Sequence, residues 1–79
     1  MSSQEMTTTL CRNIRYLRKK HGLSKKKLAE IIGCTPYAIT KIEGGVLPRR
    51  FYYHHLRNLC TYFEIQTQDL FSPLDEKEA

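Results

Sequence analysis

The sequence predicts an all-α domain, and three observations carry that prediction. Apolar residues recur every three or four positions along most of the chain. Glycine, proline, serine and threonine fall where helices should stop and start. No segment alternates apolar and polar residues over a strand's length. The first pattern buries one stripe of a helix, the second supplies its caps, and the third removes the period-two signal of a half-buried strand.

The elements follow in order. Leu10, Ile14 and Leu17, with basic residues between them, predict an amphipathic helix of about residues 8–21, ended by Gly22. Ser24 is the expected cap of a second helix over 25–32, whose inner face is Leu28, Ala29 and Ile32. Gly33 stops that helix, because glycine enters the left-handed conformation at no steric cost. Only two residues later Thr35 caps a third helix, with Pro36 in its first position, where the missing N–H does no harm. This helix covers about 36–43 and ends at Gly44-Gly45. A basic loop, VLPRR, leads to a fourth helix over about 52–63 that buries Leu56, Leu59, Cys60 and Phe63. A short turn capped by Gln66 or Thr67 carries Leu70 and Phe71, and Pro73 closes it.

Size and composition limit the function. Seventy-nine residues make one small domain with room for a few packed helices. At 41% hydrophobic and 27% charged, the chain reads as an ordinary soluble globule expected in the cytoplasm. No apolar stretch approaches the ~20 residues of a membrane span, and MSSQEMTTT lacks the basic start and apolar run of a secretory signal. Cys11, Cys34 and Cys60 form no C-x-x-C and are odd in number, so neither a disulfide framework nor a zinc site is expected. His54 and His55 are neighbours on a helix and point about 100° apart, unsuited to shared ligation. No nucleophile–base pair, carboxylate pair or Gly-rich phosphate loop is present. Neither an enzyme nor a cofactor or metal is expected.

Charge is distributed unevenly. Residues 10–57 hold twelve Lys/Arg against Glu30 and Glu43, a net of +10, whereas residues 64–79 hold five acids and one lysine. A basic body with an acidic tail implies a polyanionic partner for the body. Advancing 100° per residue around the third helix sets the core direction between Ile39 and Ile42. Tyr37, Thr40 and Lys41 then fall on the opposite, outward side. Glu43 falls on the inward side and needs a partner there. Tyrosine, threonine and lysine can donate to base edges or phosphates and pack on a thymine methyl. The second helix opens with Lys25-Lys26-Lys27, against its own macrodipole. An N-terminus with free N–H groups and adjacent lysines is a cradle for phosphate.

The stretch IRYLRKKHGLSKKKLAEIIGCTPYAITKIEGG resembles the helix-turn-helix domain of the Cro and phage-repressor type, the xenobiotic-response-element family of regulators. Ile14, Arg15, Leu17, Arg18, Gly22, Leu23, Ser24, Leu28, Ala29, Gly33, Thr35, Ile39, Thr40, Glu43 and Gly45 carry the family's pattern without a gap. The resemblance implies a compact five-helix bundle of the lambda-repressor-like class, with its third helix in the DNA major groove. With the resemblance covering about residues 10–71, the residues predict a flexible N-terminal tail at 1–9, the helix-turn-helix domain at 10–72 and an acidic C-terminal tail at 73–79.

Carried over to this sequence, the base-contacting positions are Thr35, Pro36, Tyr37, Thr40 and Lys41, and the phosphate-contacting ones Ser24, Lys25, Lys26, Arg49 and Arg50. The resemblance also pairs Glu43 with Arg18. Three departures stand out. Lys25 replaces a glutamine that bonds both a phosphate and a helix-3 side chain, so the relay to helix 3 is expected to be lost. The loop after Gly45 is slightly long, and Glu64 replaces the usual glycine after helix 4.

Relatives dimerise to place two reading helices one DNA turn apart, ~34 Å. Ile65, Leu70, Phe71 and Leu74 are the candidate dimer surface, extended by Tyr52, Tyr53 and Tyr62. The expected function is a small stand-alone transcriptional regulator, a repressor, binding double-stranded DNA as a homodimer. The alternative is the same fold used as a protein-interaction module, such as an antitoxin or adaptor.

Overall fold

Leu10, Ile14 and Leu17 do line the buried side of a first helix, but that helix starts earlier than its polar residues suggest. A computed structural model describes the backbone of residues 3–77 and the side chains of 5–76. In it α1 spans Ser3–Lys20, α2 Lys25–Ile32, α3 Pro36–Glu43 and α4 Tyr53–Phe63, followed by a 3₁₀ turn at Thr67–Phe71 and α5 at Leu74–Lys77. The architecture is an all-α bundle, and among the described residues there is no strand.

Two expectations about the ends of the chain are corrected. The N-terminal tail of residues 1–9 is helical from Ser3 onward, while Met1 and Ser2 lie outside the described residues. Met6 stands one turn before Leu10 and extends the apolar stripe. Leu10 and Cys11, buried in the core, anchor the helix that Thr7, Thr8 and Thr9, weak helix formers, continue toward the N-terminus. The acidic tail is likewise ordered through residue 77. Asn13, fully buried, donates through Nδ2 to the carbonyls of Leu70 (2.7 Å) and Ser72 (2.9 Å) and accepts from the Leu74 amide at 3.0 Å. Arg12 holds Asp75 at 2.6 Å, which raises the guanidinium's pKa through the hydrogen bond and the charge. Glu78 and Ala79 lie outside the described residues.

The core joins α1, α2, α3 and α4 around fully buried Ile14, Leu28, Ile32, Ile39, Ile42 and Leu59. Leu70 and Leu74 belong to it as well, at 0% and 7% exposure, which corrects their assignment to a dimer surface. An apolar residue in a polar tail looks like an exposed patch. Here the tail folds back and seats both leucines inside the monomer. Ile65 and Phe71 are half-buried against the same core.

Cys11 and Cys60 are buried, Cys34 is half-buried, and all three are free thiols. Burial pushes each of these thiols up from its ordinary pKa. In α4 Leu56 and Phe63 are only half-buried, and His55 takes an inward place that the apolar spacing did not assign to it.

Candidate nucleic-acid interface

The corner between α2 and α3 is set by local chemistry. Gly33 sits at φ 93° and returns its N–H to the Ala29 carbonyl. Thr35 accepts from the Ala38 amide at 3.1 Å, and Pro36 fills the first helical position. At the start of α2, Ser24 accepts from the Lys27 amide at 3.0 Å. Asn58 of α4 donates to the Ile32 carbonyl at 2.9 Å and ties the end of α2 to the bundle.

α3 is fastened on its inner face. Ile39 and Ile42 are fully buried, and Glu43 receives both Nε (2.5 Å) and Nη2 (2.9 Å) of Arg18. Arg18 Nη1 also donates to the Leu23 carbonyl at 2.9 Å. The hydrogen bond to Glu43 raises the Arg18 pKa, so this cation serves the fold. With Arg12 held by Asp75, two of the twelve basic residues of the body face internal acids.

The outer face carries the side chains singled out from the sequence. Thr35, Pro36, Tyr37, Thr40 and Lys41 are all exposed, Tyr37 at 64%. Lys41 Nζ lies 5.3 Å from the centre of the Tyr37 ring, a cation–π pair that presents both as one unit. Thr40 bonds back to the Pro36 carbonyl at 3.3 Å and accepts from Lys25 Nζ at 3.4 Å. The expectation that lysine at position 25 loses its link to α3 is therefore corrected: the long side chain spans the gap as a donor.

Ser24, Lys25 and Lys26 are exposed at the start of α2, and Arg49 and Arg50 on the loop after α3. An open groove of about 580 Å³ brings Arg49 and Arg50 together with Thr35, the cap of α3, with Ala38 and with Phe51, Tyr52, His54 and His55. The His54 and His55 rings, expected to diverge, approach to 4.0 Å between centroids, because the buried and the exposed ring lean together. Among the described residues no three or more His, Cys, Asp or Glu side chains are grouped to hold a metal, and no helix is long and apolar enough to cross a membrane.

A second groove of about 390 Å³ was not anticipated. Met6, Thr7 and Leu10 of α1 form one wall, and Leu47, Phe51, Tyr52, Tyr53, Leu56 and Phe71 the rest. None of these residues is charged. Its signal in the sequence is FYY, but Met6 and Thr7 of the other wall fall in the segment assigned to the tail.

A short helix locked to a bundle by its inner face, capped at its start and bearing exposed hydroxyl, aromatic and ammonium groups is the architecture of a helix-turn-helix DNA reader. Comparison with known proteins agrees: residues 13–76 match the family model of the Cro/C1-type HTH DNA-binding domain. The chain belongs to that family and is a DNA-binding domain of the kind that regulates transcription. No curated protein and no solved structure matches it.

Proposed function

We propose that this domain binds double-stranded DNA sequence-specifically, with α3 in the major groove, and acts as a cytoplasmic transcriptional repressor in homodimeric form. The observation that carries this reading is the Tyr37–Lys41 pair, held outward on a helix whose opposite face is fixed by Ile39, Ile42 and the Arg18–Glu43 bond. Lys41 and Tyr37 read base edges, with Thr35, Pro36 and Thr40 against the groove wall. Lys25 and Lys26, at the start of α2, and Arg49 and Arg50, on the loop, grip phosphates on either side. Lys25 has a second role, steadying Thr40 from below.

A second copy occupies the uncharged groove lined by Met6, Leu47, Tyr53, Leu56 and Phe71. On a chain of net charge +5 an uncharged face is where two copies meet with least repulsion. The domain measures 28 × 25 × 20 Å, so two copies side by side suit half-sites one turn apart, ~34 Å.

The test is selection from random duplexes followed by binding of variants to the enriched site. A palindrome with two half-sites is expected, and log K should fall with log salt by about 0.9 per phosphate neutralised. Lys41→Ala should relax sequence preference by ~1–3 kcal/mol, whereas Lys26→Ala should weaken all duplexes alike and reduce the salt slope by about one. No enriched sequence, or a Lys41→Ala variant with unchanged preference, refutes the reading in favour of an interaction module.

A further inference from the structure

One side chain near this interface has a task that DNA contact does not explain. His55 is 7% exposed, at the third position of α4. The side chain of Tyr52, the residue at the N-cap, does not close the helix. Instead the Tyr52 amide donates to His55 Nδ1 at 2.9 Å. The imidazole stacks on Phe51 at 5.4 Å and on Tyr52 at 5.9 Å, and on its far side it meets the Gly33 backbone. A single ring thus joins the corner from which α3 starts to the loop that presents Arg49 and Arg50.

This joint works only while Nδ1 keeps its lone pair. Protonation turns the acceptor into a donor facing another donor, and the Tyr52 amide loses its partner. The titratable side chains facing the ring give the added charge no compensation, which leaves the Gly33 backbone to favour it. They are His54 on the same helix, Arg49, Arg50 and Tyr52 on the loop, and Cys34 at the α2–α3 corner, and no carboxylate lines the groove. Burial and the neighbouring His54 hold the His55 pKa below its ordinary 6.5, with contacts to the Gly33 and Tyr52 backbone offsetting part of this. The folded state therefore favours the neutral ring. Its contribution is full above about pH 6.5 and is lost as pH falls below that value toward the folded pKa.

We propose that His55 is a proton-operated latch: when neutral it clasps the Arg49–Arg50 loop to the α2–α3 corner, and in acid it lets the loop go, so that sequence-specific binding weakens. The inference rests on the DNA-binding reading and adds its regulation. Its sign is opposite to that of bulk electrostatics, under which protonated histidines strengthen the attraction to DNA.

The test compares a duplex selected at pH 7.5 with an unselected duplex of the same length, by fluorescence anisotropy from pH 7.5 to 5.5 at constant ionic strength. For the wild-type chain the selected duplex should lose about tenfold in affinity, the scale of one helix cap, while the unselected duplex holds or tightens. His55→Gln places a non-titrating acceptor at the same capping position and should flatten the profile, and His54→Gln should retain it. Wild-type and His55→Gln profiles that coincide overturn the latch. A readout without DNA separates it from the parent reading: in the free protein the Tyr52 amide resonance should shift together with the His55 ring nitrogens. If that resonance stays still through the titration, the latch is refuted. If it moves but no duplex binds at pH 7.5, the DNA-binding reading fails and the local joint stands.

Discussion

Removing the Glu43 carboxylate asks how firmly α3 is held. In Glu43→Ala the Arg18 guanidinium, 15% exposed, loses both of its bonds to Glu43 and keeps only the Leu23 carbonyl. Stripping one partner from a buried pair costs about 3–5 kcal/mol, and the surviving carbonyl bond and slight exposure place this case near 3. A domain of 79 residues has about 4–12 kcal/mol of stability in all. The variant should thus lose a quarter or more of it, with a midpoint lower by roughly 12–24 °C. Urea titration followed by circular dichroism measures the loss directly. The double variant Arg18→Met/Glu43→Leu supplies the control, because an apolar pair of similar volume leaves no orphaned charge. It should return to within about 1 kcal/mol of wild type. A loss below about 1 kcal/mol for Glu43→Ala would mean that solvent screens the pair and that Ile39 and Ile42 alone hold α3.

Two further substitutions test the ends of the bundle. Asn13→Ala should cost about 3–5 kcal/mol, since it removes the partners of three backbone groups at once; urea titration gives the total, and faster hydrogen exchange at the Leu74 amide locates it. An unchanged Leu74 amide would show that α5 is held by other means. Glu64→Gly should stabilise by about 0.5–1 kcal/mol, because Glu64 holds φ 56° at the end of α4, where a side chain is strained and glycine is not. A lower melting temperature in that variant would contradict the argument.

What could be read in advance was the chemistry that acts over a few residues. Gly33, Thr35 and Pro36 fix the α2–α3 corner by conformational preference and capping alone, and both helices begin and end where those residues put them. The outward direction of Tyr37 and Lys41 followed from the 3.6-residue turn for the same reason. What could not be read was capture across distance. Nothing near Asp75 announces Arg12, and nothing near Leu74 announces Asn13, which lies 61 positions away. Residues 3–7 carry no apolar repeat of their own, and their place in α1 shows only in three dimensions, where Met6 and Leu10 line a groove opposite Phe71. His55 was the subtlest case. A reach-back cap is ordinarily read from glutamate or glutamine, and an imidazole performs it here beside a cap residue, Tyr52, that offers no signal.

The Asn13 clasp has a consequence for truncation. It closes a circuit of 57 to 61 residues, so this part of α1 gains its buried partners only when the segment from Leu70 to Leu74 docks. A chain ending after α4 keeps Tyr37, Lys41 and both loop arginines but lacks every partner that the Asn13 side chain has in the fold. Such a chain should therefore unfold at lower urea than one that reaches Leu74, with the exposed Asn13 amide unpaired on the surface that Leu70 and Leu74 otherwise cover.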